Sequence, residues 1–125
     1  MGEEFMIDNL LTEGVEVTES GLQYQIFNKG TGVKPTLTDT VMIHYTGRFV
    51  DGREFESTIP SRKPVQLSLM NVMPGWTEGI QLMKEGGKTR FFIPSELAYG
   101  DRAAGELIGP GSTLIFDVEL IQVGE

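Results

Sequence analysis

The stretch from residue 72 to residue 83 constrains the fold most, because it predicts one short helix in a chain whose other periodic segments indicate strands. Trp76, Ile80 and Met83 recur at i, i+4 and i+7, which places three large apolar side chains on one helical face. A Pro-Gly pair precedes Trp76, and a Gly-Gly pair at positions 86 and 87 is expected to end the helix. A helix of about two to three turns is unstable alone, so it must pack against the rest of the chain.

Two residues of this segment bear on what it packs against. Gly79 lies on the apolar face, where the missing side chain would let another part of the backbone come close. Trp76 is the only tryptophan. Its indole either fills the core or forms the floor of a pocket beside the Pro-Gly break, and the residues alone leave both interpretations open.

The remaining periodic segments predict an antiparallel sheet. Apolar and polar residues alternate in most of these segments, which is the pattern of half-buried strands. Asp51-Gly52 predicts a tight hairpin. A chain of 125 residues suits one core. We therefore expect one α+β domain with a five- to six-stranded sheet on one short helix. Strands are predicted at residues 22–26, 40–49, 53–55, 65–69, 88–93 and 113–121.

Composition excludes several classes of function. The net charge of −8 argues against nucleic acid and anionic membrane as partners, because phosphate binding requires a basic face. The absence of cysteine removes disulfides and thiolate chemistry, and neither a metal site nor a cofactor is expected. The single histidine, His44, falls on the strand face opposite Tyr45, where a structural role is favoured over a catalytic one. No apolar run approaches the ~18 residues that a membrane span requires.

The N-terminal residues form a separate segment in the sequence. Residues 3–11 carry an apolar helical stripe that Gly14 would end, and this stripe has no obvious partner. It is interpreted either as a frayed tail or as the cut end of a longer helix. We expect residues 1–21 to be a helical tail and linker, residues 22–125 to be the domain, and the domain to survive removal of residues 1–13.

Apolar and aromatic residues, rather than reactive groups, mark the candidate site. The segment from Ser95 to Ser112 is glycine-rich and aperiodic, and loops of this length in compact domains are usually functional. An apolar pocket with few polar groups suits ligand binding. The residues that end predicted elements or lie in this loop are Tyr45, Phe55, Met73, Trp76, Tyr99, Ile108 and Phe116.

Five sequence blocks follow one another in order along the chain, at residues 41–47, 51–55, 72–79, 93–100 and 113–120. Together they resemble the FKBP-type peptidyl-prolyl cis-trans isomerases, in particular the C-terminal catalytic domain of bacterial Mip-like (macrophage infectivity potentiator-like) members. The resemblance runs from about residue 22 to residue 123 and implies a curved antiparallel sheet wrapped around the helix, with the pocket between them. It also implies catalysis of X–Pro rotation in proteins during folding, and binding of macrolides.

The resemblance implies a role for each matching residue. Trp76 would be the floor of the pocket, and the Met73 N–H would donate to a substrate carbonyl. Phe55 and Glu56 can face the pocket together only at a bulge or a strand end, since strand neighbours point oppositely. Glu56 stands where the family usually has Asp. The implied catalytic residues are Tyr99, Glu56, Trp76 and Phe116, and the implied substrate-binding residues are Tyr45, Phe55, Val65, Val72, Met73, Trp76, Tyr99, Leu107, Ile108 and Phe116.

Two functions remain open at this point. One is an active isomerase whose partners are proline-containing polypeptides and macrolide inhibitors, and the intact aromatic set favours it. The other is a non-catalytic peptide-binding or chaperone module that uses the same pocket. A homodimer is expected only if a longer N-terminal helical module exists. The chain is expected to be soluble, with the cytoplasm slightly favoured over the periplasm or cell surface.

Overall fold

The structure, a computed structural model, describes residues 6, 8–50, 52–57, 64–94, 97 and 113–124, without the side chains of residues 55–57. Within these residues, the elements described over their whole length are seven strands, one α-helix and one 3-10 turn. Their bounds are β1 Val15–Val17, β2 Gln23–Asn28, β3 Thr40–Phe49, β4 Glu54–Ser57, β5 Val65–Ser68, the 3-10 turn Leu69–Asn71, α1 Pro74–Ile80, β6 Lys88–Ile93 and β7 Leu114–Val123.

All described strand pairs are antiparallel and form one sheet in the order β1-β2-β6-β7-β3-β4. Strand β5 pairs with the Thr40–Ile43 end of β3, whereas β4 pairs with the Thr46–Arg48 end. The predicted α+β fold is confirmed. The additional strand is β1, which lies within the segment that the sequence assigned to a linker and pairs with β2.

Helix α1 packs its apolar face on the sheet, as the spacing predicts. Trp76, Ile80 and Met83 are all buried. The helix ends at Ile80, however, and not at the Gly-Gly pair. Its last turn tightens, because Met83 N donates to Ile80 O at 3.0 Å in an i→i−3 bond. Gly86 takes a positive φ of 88° in a later turn, where its N–H donates to Leu120 O.

Gly79 meets a side chain rather than another backbone. A Cβ at this position would lie 2.6 Å from the Phe91 ring, which belongs to β6 and is fully buried. The expected close approach is therefore present, but its partner differs from the prediction. The missing side chain lets the aromatic ring lie against the helix axis, which brings the helix close to the middle of the sheet.

The predicted hairpin joins β3 to β4. Phe49 N donates to Arg53 O at 2.9 Å, and Gly52 N donates to Phe49 O at 3.0 Å. Gly52 has φ of 92°, which is the left-handed conformation that a tight hairpin turn requires.

Polar contacts attach the N-terminal segment to the sheet. Asn9 is buried, and its Nδ2 donates to Gln23 Oε1 at 2.8 Å. Gln23 Nε2 in turn donates to the Met6 carbonyl at 2.7 Å. Leu11, by contrast, is 87% exposed. Some of this segment therefore has a partner in the domain, through polar contacts of Asn9 and of the Met6 carbonyl.

We predict that Asn9→Ala lowers the free energy of unfolding by about 1–3 kcal/mol, because Gln23 loses the partner of a buried amide. Leu11→Ala is the matched control and should change it by less than about 0.5 kcal/mol. Urea unfolding of both variants measures the difference. Equal changes in the free energy of unfolding for the two variants would show that the segment does not pack on the domain in solution. The expected difference would mean that removing residues 1–13 destabilises the domain.

Candidate functional site

Three aromatic rings meet where α1 begins. Trp76 contacts Tyr45 and Phe116 edge-on, with ring centroids 4.9 Å apart in both pairs and interplanar angles of 75° and 88°. Tyr45 and Phe116 lie 6.1 Å apart at 56°. Such tilted contacts are the favoured geometry of aromatic pairs. The structure thus brings together the three aromatic site residues whose side chains it describes.

Strand alternation directs two of these rings to the helix. Tyr45 on β3 shares the inward face with Val41 and Ile43, and Phe116 on β7 shares it with Val118. In the strand register, Phe116 lies opposite Gly47, two residues beyond Tyr45. Because Gly47 has no side chain, Tyr45 and Phe116 flank Trp76 without a third side chain between them.

Three residues that the resemblance implies for substrate binding lie on β5 or in the segment that enters the helix. Val65, Val72 and Met73 are partly buried and pack against the core cluster. Thr77 Oγ1 donates to the Leu69 carbonyl at 2.8 Å and also lies 3.3 Å from the Met73 carbonyl. These contacts fix the chain from the 3-10 turn to the first turn of α1. Among the described residues, no acceptor is paired with the Met73 N–H.

The backbone of β4 contains the bulge that the Phe55–Glu56 hypothesis requires. Gly47 pairs with Glu56, but the next β3 residue, Arg48, pairs with Glu54, so Phe55 is the extra residue on β4. The side chains of Phe55 and Glu56 are not described. Three other predicted site residues, Tyr99, Leu107 and Ile108, lie outside the described residues.

Two apolar residues beside this site were not predicted. Phe49 and Leu97 are partly buried and pack against the same core cluster. Phe49 continues the inward alternation of Tyr45, so its position was available from the period of the strand. Leu97 had no such signal, because it follows Pro94 in a turn where its N–H donates to the Pro94 carbonyl at 2.9 Å.

The interior of the site is apolar, with one buried donor. Trp76 Nε1 is buried and has no hydrogen-bond partner among the described residues. In the same part of the chain, no group of three His, Cys, Asp or Glu residues is arranged to hold a metal ion. None of the helices in the described residues is both long enough and apolar enough to cross a membrane. Within the described residues, the site therefore combines three aromatic rings with two donors that lack a protein acceptor, Trp76 Nε1 and the Met73 N–H.

An ion-pair cluster supports the site from the opposite face of the sheet. Asp117 accepts from Arg48 Nη1 at 2.6 Å and from Arg90 Nε at 2.6 Å, which joins β7 to both of its neighbours. Burial alone would raise the pKa of Asp117, but hydrogen bonds from Arg90 and Arg48 outweigh it and hold this pKa below its ordinary value. The adjacent Phe116 points inward, so this cluster fixes the strand that carries it.

An antiparallel sheet packed on one short helix, with three aromatic rings in contact where that helix begins, is the architecture of the FKBP-like class. The chain belongs to the FKBP-type peptidyl-prolyl cis-trans isomerase family, whose model matches residues 31–121. A second model, for the domain amino terminal to this isomerase, matches residues 1–26.

Similar proteins are longer than this chain in most cases. A probable FKBP-type peptidyl-prolyl cis-trans isomerase FkpA of Neisseria meningitidis is 50% identical over 123 residues, which cover 98% of this chain and 45% of the relative. The outer membrane protein MIP of Legionella longbeachae is 47% identical over 98% of this chain and 52% of its own length. The chain spans about half the length of the curated relatives it matches.

Solved structures show the same fold. The crystal structure of FkpA from Escherichia coli has a TM-score of 0.94 and 41% identity, and the match covers 98% of this chain and 57% of that one. A peptidyl-prolyl cis-trans isomerase from Pseudomonas syringae has a TM-score of 0.92 and 36% identity, and the match covers 99% and 91% of the two chains.

We predict that Asp117→Asn lowers the free energy of unfolding at pH 7 by about 1–2 kcal/mol, because both arginines lose a charged partner. The expected loss is modest because solvent partly screens the partly exposed arginines. Because the folded-state pKa is depressed, this stabilisation is present above the unfolded pKa of about 3.9 and is lost as the pH falls through the folded value. The variant should therefore lose less stability than the wild type on acidification below about pH 4. Urea unfolding from pH 2 to 7 measures this, with Glu119→Gln on the same strand as control. Parallel pH profiles for wild type and Asp117→Asn would contradict it.

Proposed function

We propose that this chain catalyses cis-trans rotation about X–Pro bonds in proteins and so assists their folding. The observation that carries the proposal is the Tyr45–Trp76–Phe116 ring cluster at the start of α1, with Met73 directly before that helix. Family membership supports it, since the matched relatives carry the name of this activity. The substrates would be proline-containing polypeptides.

The physical task explains why aromatic residues suffice. Rotation of an X–Pro amide must break C–N resonance, which is a barrier of about 18–20 kcal/mol. The twisted amide has lost conjugation and is less dipolar than either planar form. An apolar pocket therefore penalises the planar forms more than the twisted form, and that difference accelerates rotation. No acid, nucleophile or metal is needed for this step.

Specific residues would hold the substrate during rotation. The proline ring would lie on Trp76 between Tyr45 and Phe116, with Phe55 as a further wall. The Met73 N–H, unpaired among the described residues, would donate to a substrate carbonyl. Tyr99 would donate its hydroxyl to the substrate backbone. Further roles proposed from the family resemblance are those of Val65, Val72, Leu107 and Ile108 as rim and loop contacts, and of Glu56 as the carboxylate beside the reacting amide.

The relatives extend the proposal to the rest of the protein. Residues 1–21 would be the segment that joins the isomerase domain to a helical module, and a homodimer would form through that module where it exists. The cytoplasm, slightly favoured from the sequence, gains no support from the relatives. One of them is named an outer membrane protein, so we assign this chain to the cell envelope.

The proposal predicts that catalytic amounts of the chain accelerate the proline-limited refolding phase of an unrelated protein. Uncatalysed, that phase takes tens to hundreds of seconds at 25 °C. Rapamycin should abolish the acceleration, because a macrolide would fill the same pocket. An unchanged slow phase at micromolar concentrations of the chain, together with measurable peptide binding, would favour the non-catalytic module instead.

A second test asks whether the apolar pocket or the carboxylate at position 56 controls the rate. We predict that Glu56→Asp changes kcat/KM on a Leu-Pro peptide by less than about threefold, or ~0.7 kcal/mol, because the pocket provides most of the effect. Trp76→Ala should lower kcat/KM far more. Because Trp76 is buried, a thermal melt must show that this variant folds, and Trp76→Phe provides a milder change. A larger effect for Glu56→Asp than for Trp76→Ala would show that the carboxylate controls the rate.

A further inference from the structure

A second cavity lies beyond the C-terminal end of α1, away from the ring cluster. Its volume is about 160 Å³. Trp76 lies in the first turn of α1, whereas Met83 follows its last residue, Ile80, so the two sites flank opposite ends of the same element. The residues that line the cavity are Ile26, Asn28, Lys29, Lys34, Leu82, Met83, Lys84 and Thr89.

The cavity combines an apolar floor with a cationic rim. Met83 is buried at the floor, and Ile26 and Leu82 contribute partly exposed aliphatic surface. The rim carries three of the ten basic residues of a chain whose net charge is −8. Those three, Lys29, Lys34 and Lys84, form no ion pair within the part of the chain that is described.

Backbone hydrogen bonds fix the segments that carry these lysines. Gly32 N donates to Glu85 O at 3.0 Å, and Glu85 N donates to Val33 O at 3.0 Å, so the 28–34 and 84–87 turns are bonded to each other. Gly30 has φ of 73°, and a Cβ there would lie 2.6 Å from Gly87 N. The rim is therefore a defined arrangement of two interlocked turns.

The nearest acidic side chain in sequence is directed elsewhere. Glu85 follows Lys84, but its Oε2 accepts from the Val123 N–H at 2.7 Å. This bond uses one oxygen of the carboxylate, and among the described residues Glu85 forms no ion pair with the three lysines. Charge complementarity at the cavity therefore favours an acidic ligand from outside the described part of the chain.

From this combination we propose that the cavity is a second polypeptide-binding site, for an acidic segment that inserts one apolar side chain. A volume near 150 Å³ accepts a benzene-sized group, so a single Leu or Phe side chain fits. The lysines come from three positions around the rim, and carboxylates on both sides of the inserted residue could reach them together. Because proline plays no part in this recognition, the site does not depend on the isomerase function.

The test is a titration of the ¹⁵N-labelled chain with the proline-free peptide Ac-Asp-Glu-Leu-Glu-Asp-amide. We expect the largest amide shifts at residues 26–34 and 82–89, with the Trp76 indole signal unmoved. Replacing the peptide leucine by glycine should weaken binding by about 10- to 100-fold, the effect of burying one aliphatic side chain. Shifts confined to other regions, or none at all, would overturn the proposal.

Charge-neutralising variants test the rim. Lys29→Gln, Lys34→Gln and Lys84→Gln should each weaken peptide binding by about two- to fivefold, in the range of exposed ion pairs. Arg53→Gln removes the same charge on the β3–β4 hairpin and should leave the affinity unchanged. An equal loss of peptide affinity with Arg53→Gln would show that the lysines act only through the net charge of the chain, and would overturn their role at the rim. Binding of free glutarate as tight as that of the peptide would show a site for small anions only.

The isomerase reaction separates this proposal from the proposed function. The triple lysine variant should isomerise a short Leu-Pro peptide at the wild-type rate while losing the acidic peptide. A wild-type chain that binds the acidic peptide but has no isomerase activity would overturn the proposed function alone. Loss of isomerase activity in the triple variant would show that the lysines support the aromatic site or the fold. It would overturn the proposal that the cavity is a separate site.

Discussion

The packing of one seven-residue helix against the sheet is the contact on which the rest of this structure depends. A helix of that length has no stability of its own, so its position is set by what it buries. The two interpretations of Trp76 are therefore compatible, because the indole is only 6% exposed and yet contacts both rings of the candidate pocket. A change that loosened this packing would disturb the core and the site at once.

Successive side chains of a strand point to opposite faces of the sheet, which explains how one face can be apolar and the other charged. Phe116 and Asp117 are neighbours on β7, and one lies in the aromatic cluster while the other pairs with Arg48 and Arg90. The arginines come from the two strands that flank β7. The ion pairs thus act across the same three strands whose inner faces bury the apolar residues, and they place no charge inside the pocket.

Local patterns predicted the elements of this fold but not the contacts between distant ones. Alternation together with turn residues located six of the seven described strands, and the i, i+4, i+7 spacing identified the buried face of α1. The contact between Phe91 and Gly79 could not be predicted from a local pattern, because it depends on how the helix packs against β6. The same holds for the pairing of Arg48 with Asp117, which are 69 residues apart. The aromatic site was identified through a family resemblance, which carries such long-range information within a motif.

The lysine-rimmed cavity shows why net charge is a poor guide to a local site. At a net charge of −8, an acidic segment approaching the chain meets overall repulsion. At physiological ionic strength, however, charges farther apart than about 8 Å are largely screened, so that repulsion fades over a few ångströms of solvent. The three lysines line the cavity itself, so a ligand seated there lies within that distance of all of them. Raising the salt concentration weakens both effects, but it leaves the burial of an apolar side chain on Met83 intact, so the apolar contact would set the affinity that remains.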